Sequence, residues 1–167
     1  IIFRYAEAFL NYVEARAELG QLTQADLDLT INKLRTRVGM PPMVLASIKT
    51  DPNWPDYGYS LSGALHEIRR EREVELLSEG FRLNDLMRWS AHKLFVGVRP
   101  KGAFYTAAFK TAYPGLAIDA NNFLDPYKTT LTGANGGWGF KPDRNYLLPI
   151  PSNELTLNTS LKQNPGY

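Results

Sequence analysis

The chain has 167 residues, 44% of them hydrophobic and 22% charged, which is enough length and apolar content for one domain with a buried core. Its 19 basic and 17 acidic residues leave a formal net charge of +2, too balanced for a nucleic-acid footprint. There is no cysteine, so disulfides, thiolate metal sites and a cysteine nucleophile are excluded.

The opening Ile1-Ile2-Phe3-Arg4 is not a secretory signal, because Glu7, Asn11 and Glu14 soon interrupt the apolar stretch. Without an initiator Met the chain reads as part of something longer. Residues 2–19 predict an amphipathic helix, with Ala6, Phe9, Leu10, Val13 and Ala17 at helical spacing. Gly20 is placed to stop it. Thr23 then caps a second helix, with Asp26 as its capping-box partner and an apolar stripe of Leu27, Ile31, Leu34 and Val38. Gly39 and the Pro41-Pro42 pair end that helix. So short a connection predicts an αα-hairpin. Its residues Tyr5, Ala8, Leu10, Tyr12, Ala15, Leu19 and Gly20 have a tetratricopeptide-like cast, although only one such unit is visible.

Residues 43–60 hold Pro52, Pro55, Trp54, Tyr57 and Tyr59 and predict an irregular segment. Helix returns over 62–78, is interrupted at Gly80, and resumes over 83–94. Residues 97–146 are loop-rich, with a glycine-rich run around Gly133, Gly136, Gly137 and Gly139. The tail, Leu147-Leu148-Pro149-Ile150-Pro151, is extended, and a short helical turn starts at Ser152. No domain boundary is evident, and no apolar run approaches the length of about 18 residues that a spanning helix needs.

The helix over 62–78 contains one anomaly. Its apolar stripe Leu61, Leu65, Ile68 continues through position 72 to Leu76, and position 72 is Arg. Arg72 is therefore expected to be at least partly buried and paired with a carboxylate, Glu75 or Glu79 being the local candidates, because an unpaired buried guanidinium is strongly destabilising. The remaining Arg and Glu of this helix form exposed pairs worth a few tenths of a kcal/mol each. A glycosidase needs two acids flanking a cleft, one with a raised pKa. Asp119, Asp125 and Asp143 lie in loops, but no spacing singles out a pair. His66 and His92 show no metal-ligand spacing, and the glycine-rich run lacks the Lys-Ser/Thr sequel of a phosphate cradle. No metal or cofactor is expected. The loop aromatics either pin the loops to the core or present flat rings to sugars. Trp54 and Trp138 are the candidate ligand contacts.

Three ordered segments resemble the SusD/RagB family. The first is Arg4-Tyr5-Ala6-Glu7-Ala8-Phe9-Leu10-Asn11-Tyr12-Val13-Glu14-Ala15 with Glu18-Leu19-Gly20, followed by residues 31–40. The second is Ile68-Arg69-Arg70-Glu71-Arg72-Glu73-Val74-Glu75-Leu76, then Glu79-Gly80-Phe81-Arg82 and Asp85-Leu86-Met87-Arg88-Trp89. The third is Tyr146-Leu147-Leu148-Pro149-Ile150-Pro151, Glu154-Leu155, Asn158 and the ending Leu161-Lys162-Gln163-Asn164-Pro165-Gly166-Tyr167. The resemblance implies an all-α fold of tetratricopeptide-like helical hairpins with long irregular loops. It implies that residues 1–167 are the C-terminal SusD-like domain of a protein whose N-terminal portion is absent here. It further implies a non-catalytic, lipid-anchored protein at the outer-membrane surface of Bacteroidetes-type bacteria. Such a protein binds oligosaccharides for a SusC-like TonB-dependent transporter. The competing readings are a tetratricopeptide-type scaffold for a protein partner and, third, a glycoside hydrolase.

Overall fold

A computed structural model describes residues 3–130 and 137–167. Ile1, Ile2 and most of the glycine-rich run, including Gly133 and Gly136, lie outside the described residues. The backbone falls into two compact units, Ile1–Arg88 and Trp89–Tyr167. The fold is all-α with irregular loops. Among the described residues, β pairing is limited to isolated bridges, and no helix is long and apolar enough to cross a membrane.

The first unit is built on α1 (Tyr5–Glu18), α2 (Gln24–Leu29), α3 (Ile31–Arg37), α4 (Gly63–Glu75) and α5 (Arg82–Arg88). Helix α1 packs against α2, α3 and most extensively α4. The stripes read from the sequence meet in one core of Leu10, Val13, Leu27, Ile31, Met43, Ile68 and Leu76. Helix α1 ends in a Schellman turn, with Gly20 at φ 66° and the Gln21 amide donating to the Arg16 carbonyl at 2.9 Å. At its start, Arg4 provides no side-chain cap. The Arg4 guanidinium instead reaches the Glu75 carboxylate at 2.9 Å and the Glu75 carbonyl at 2.8 Å.

The second predicted helix is two helices, because the chain breaks at Thr30 (φ −121°, ψ −92°). There the Thr30 amide turns to the Leu27 carbonyl at 3.2 Å. The Thr30 hydroxyl takes the Asp26 carbonyl at 2.6 Å in its place. Thr23 forms the expected capping box with Asp26. Helix α4 stops at Glu75, earlier than predicted, and Ser78 then adopts φ 64°. The helix predicted over 83–94 stops at Arg88. Ser90 turns the chain at φ 50°, and a single 3-10 turn follows at His92–Leu94.

Among its described residues the second unit carries the short α-helices α6 (Ala107–Ala112), α7 (Pro142–Asn145) and α8 (Ser152–Leu157). Antiparallel backbone bonds hold its long excursion together. Gly102 donates to Leu124 at 2.8 Å, and Tyr105 donates to Asn122 at 2.7 Å. The Trp138 amide donates to the Val98 carbonyl at 3.0 Å. That approach requires the preceding Gly137, since a Cβ there would stand 2.3 Å from the Gly97 carbonyl carbon. In the tail, the Gln163 amide group both donates to the Ile150 carbonyl and accepts from its N–H, at 2.9 and 2.8 Å. Asn164 donates to Leu148 at 2.6 Å, so the closing Gln-Asn pair serves as a clasp for the extended proline-rich strip.

Candidate functional site

Trp54 and Trp138 belong to different units. Trp54 sits in the irregular segment before α4 and is half-buried. One face of its indole stacks on His66, at 4.6 Å between centroids and 2° between planes. Its Nε1–H donates to Glu67 at 2.8 Å. Gly63, in the first turn of α4, makes room for it, since a Cβ at that position would lie 2.9 Å from the indole edge. The ring therefore anchors the segment to α4, and at most one face is left for a ligand. Burial, with the Arg69 charge as a second cause, pushes the His66 pKa down. Next to it, Tyr57 is buried with the Arg69 guanidinium 4.9 Å from its ring centre. Arg69 also donates to the Tyr59 hydroxyl at 3.0 Å. These loop tyrosines are thus tied to the helix by cation–π and hydrogen-bond contacts.

Trp138 is 49% exposed. Backbone bridging to Val96 holds its position, which leaves much of its side chain at the surface. Other rings of the second unit are occupied with one another. Phe95, Phe140 and Tyr146 meet edge-on at 5.0 and 4.9 Å, and Phe104 meets Phe123 at 5.6 Å.

Arg72 is 4% exposed, and Asp85 is equally buried. Its Nε donates to Asp85 at 2.8 Å and its Nη1 to Asn11 at 2.8 Å. The expected partners, Glu75 and Glu79, are not the ones it takes. Arg37 and Arg4 bind Glu75, and Arg4 binds Glu79. The reason is geometric. Position 72 shares the inward face of α4 with Leu65 and Ile68, and Glu75, though a near neighbour on the helix, is already held by Arg4 and Arg37. Glu79 lies beyond the helix end, and α5 brings Asp85 to the inner face.

Asp85 also accepts from Arg88 at 2.9 Å. Arg88 in turn forks onto both oxygens of buried Glu14 at 2.8 and 2.6 Å. Arg69, 3% exposed, donates to Glu18 at 2.9 Å and lies 4.0 Å from Glu14. Three helices are thereby joined by a buried charge network that sequence reading found at one residue only. Glu14 was readable by the logic that found Arg72, since it continues the stripe of Leu10 and Val13. Asp85 gave no such signal, because its inward position follows from the turn between α4 and α5.

In the second unit, Asp125 is fully buried. Arg99 donates to its two oxygens at 2.7 and 2.6 Å, and Lys101 adds a third bond at 2.7 Å. The Arg99 hydrogen bonds hold its carboxyl well below the usual carboxylate range, opposite to what a general acid needs. Asp119 is also lowered, chiefly by the Phe123 amide. Among the described residues no cluster of three His, Asp or Glu is placed to hold a metal ion.

The model of the SusD family matches residues 1–167 of this sequence. No curated protein matches it. The crystal structure of a SusD-like protein from Bacteroides fragilis is similar at 26% sequence identity with a TM-score of 0.58. The similarity covers 100% of this chain and 26% of that one. The chain therefore spans about a quarter of the length of that solved relative.

Proposed function

The chain belongs to the SusD family, and from that membership we propose that it serves a non-catalytic, cell-surface protein. That protein binds glycans or oligosaccharides and delivers them to a SusC-like TonB-dependent transporter of the outer membrane. In this reading residues 1–167 are its C-terminal SusD-like domain, and the full protein is lipid-anchored at the outer-membrane surface. The observation that carries the proposal is the family match along all of residues 1–167. The buried loop carboxylate Asp125 is bonded to Arg99 and Lys101 and held below the usual carboxylate range, which fits a structural role for that group.

The binding chemistry is ring stacking on sugar CH faces, with hydrogen bonds to hydroxyls and no bond broken. Trp138 is the better placed of the two tryptophans, being half exposed. Trp54 contributes only through the face that His66 leaves. A second reading, a helical scaffold for a protein partner, draws on the exposed Phe3, Tyr5, Val74 and Leu77 of the first unit.

A glycan array and titration calorimetry test the proposal. Oligosaccharide binding without release of reducing sugar is the expected result. Trp138→Ala should weaken it by about five- to a hundredfold, the value of one stacked ring at about 1–3 kcal/mol. Turnover of a polysaccharide by the purified protein would remove the non-catalytic part. Binding of a peptide, with no saccharide bound, would favour the scaffold.

A further inference from the structure

We infer that the outward face of α1 is a seam for a second helix, supplied by the part of the same polypeptide that precedes Ile1 in the full protein. The inference rests on the reading of residues 1–167 as a C-terminal portion, given above, and not on the ligand. Helix α1 carries two apolar stripes. Ala6, Leu10, Val13 and Ala17 form the inner one and pack into the core. Tyr5, Ala8, Tyr12, Ala15 and Leu19 form the outer one. All five are exposed, Tyr5 at 75%, Tyr12 at 44% and Leu19 at 68%. The two stripes are centred roughly 150° apart around a helix of about 3.6 residues per turn.

The residues of the outer stripe are spaced alternately three and four apart, the repeat of a helix–helix seam. A helix that faces water opposite its core carries polar residues there, and one that is apolar on both sides is covered on both. None of the charged residues of α1 stands in the stripe, and Glu14 and Glu18 turn instead to Arg88 and Arg69. Large and small side chains alternate along it. Ala8 and Ala15 leave recesses between the rings, into which larger side chains of a partner helix fit at an axial separation of about 8–10 Å. The face is poorly suited to a sugar. The Tyr12 hydroxyl already donates to Asp26 at 2.8 Å, and the Tyr5 ring meets Phe9 edge-on at 4.4 Å. The alanines and Leu19 bring no side-chain polar group, whereas a saccharide site needs several that converge. Two observations draw the occupant from the same polypeptide. The similarity to the solved SusD-like protein covers only 26% of that chain, so most of such a protein lies outside residues 1–167. The stripe also lies on the first helix of the described chain, and a helix joined to its start by a short connection packs antiparallel beside it.

Two measurements on the full-length protein test the seam. Ala8→Cys and Ala15→Cys should each react with a maleimide at least about tenfold more slowly than Lys110→Cys, an exposed site of the second unit. With p-benzoylphenylalanine in place of Tyr5, irradiation should give a crosslink within one chain, at the mass of the monomer, to a residue preceding Ile1. Labelling of both cysteines at the rate of the Lys110→Cys control overturns the seam, as does the absence of any crosslink. A crosslink between two copies overturns it too. So does one to a different protein, which would favour the scaffold reading. The premise fails by a separate result. A native protein with an intact mass near 18.8 kDa would leave no chain to precede Ile1 and would remove the C-terminal reading together with the seam. A longer native protein whose cysteine variants label freely overturns the seam alone.

Discussion

Loss of either Arg72 or Asp85 should be costly to the first unit. Each is buried, each is charged, and a 2.8 Å bond joins them. Asp85→Ala leaves the buried Arg72 guanidinium without its carboxylate, while Arg88 keeps Glu14, and should cost about 3–5 kcal/mol. Glu79→Ala, in a solvent-accessible pair with Arg4, should cost at most about 1 kcal/mol. Urea denaturation of the two variants makes the comparison, and equal losses would contradict the assignment of Asp85 as the partner. Asp26 gives a pH signature. The Thr23 hydroxyl, with the Tyr12 hydroxyl second, lowers its pKa from 3.8 to about 2. Its stabilising effect is present above pH 3.8 and is lost as pH falls toward about 2, because only there does the folded state take up the proton already bound by the unfolded chain. Asp26→Asn should therefore flatten the acid limb of stability in that interval, as read by melts across pH. The burial of Arg72 was legible because it breaks an apolar stripe. Its partner was not, because Asp85 approaches from a separate helix whose placement depends on left-handed Ser78 and the turn that follows.

At the scale of elements, the capping box at Thr23 and the stop at Gly20 were legible because each is a local device of three to six residues. The break at Thr30 was not. Leu27, Ile31 and Leu34 keep helical spacing across it, and the hydroxyl that stabilises the break is an ordinary feature of a helical threonine. Thr30→Val removes that hydroxyl and leaves the buried Asp26 carbonyl without its donor. The expected result is a loss of about 1–2 kcal/mol with helix content unchanged, measured by circular dichroism. A gain in helix content would mean instead that the threonine alone holds α2 and α3 apart. Ser90 poses the same difficulty at the end of α5. Nothing in its sequence context announces φ 50°, so the helical reading ran on through it to residue 94.

Across the whole molecule, the two units differ in how they exclude water. The first has Leu10, Val13, Leu27, Ile31 and Ile68 fully buried. In the second, the largest fully buried side chain among the described residues is Asp125, held by two cations. Amide exchange should be slowest in α1 and α4 and faster over residues 98–125, where backbone bonds join loops over little apolar core. Mass-spectrometric exchange under native conditions reads the difference directly, and slowest exchange in the 98–125 segment would contradict it. Sequence reading captured the helical class of the chain, because periodicity and caps are dense in its first half. It captured little of the second unit, whose form depends on pairings such as Gly102 with Leu124 and Trp138 with Val98, between residues that carry no mutual signature.

The Arg72–Asp85 pair also constrains how this sequence can change over time. Replacing either partner first crosses a deficit of about 3–5 kcal/mol, a large share of the roughly 5–15 kcal/mol that holds an ordinary domain together. Replacing both with apolar residues of similar volume is close to neutral or favourable. The two positions therefore form a single heritable unit. They can be exchanged together, or one after the other only in a lineage that has first gained stability elsewhere.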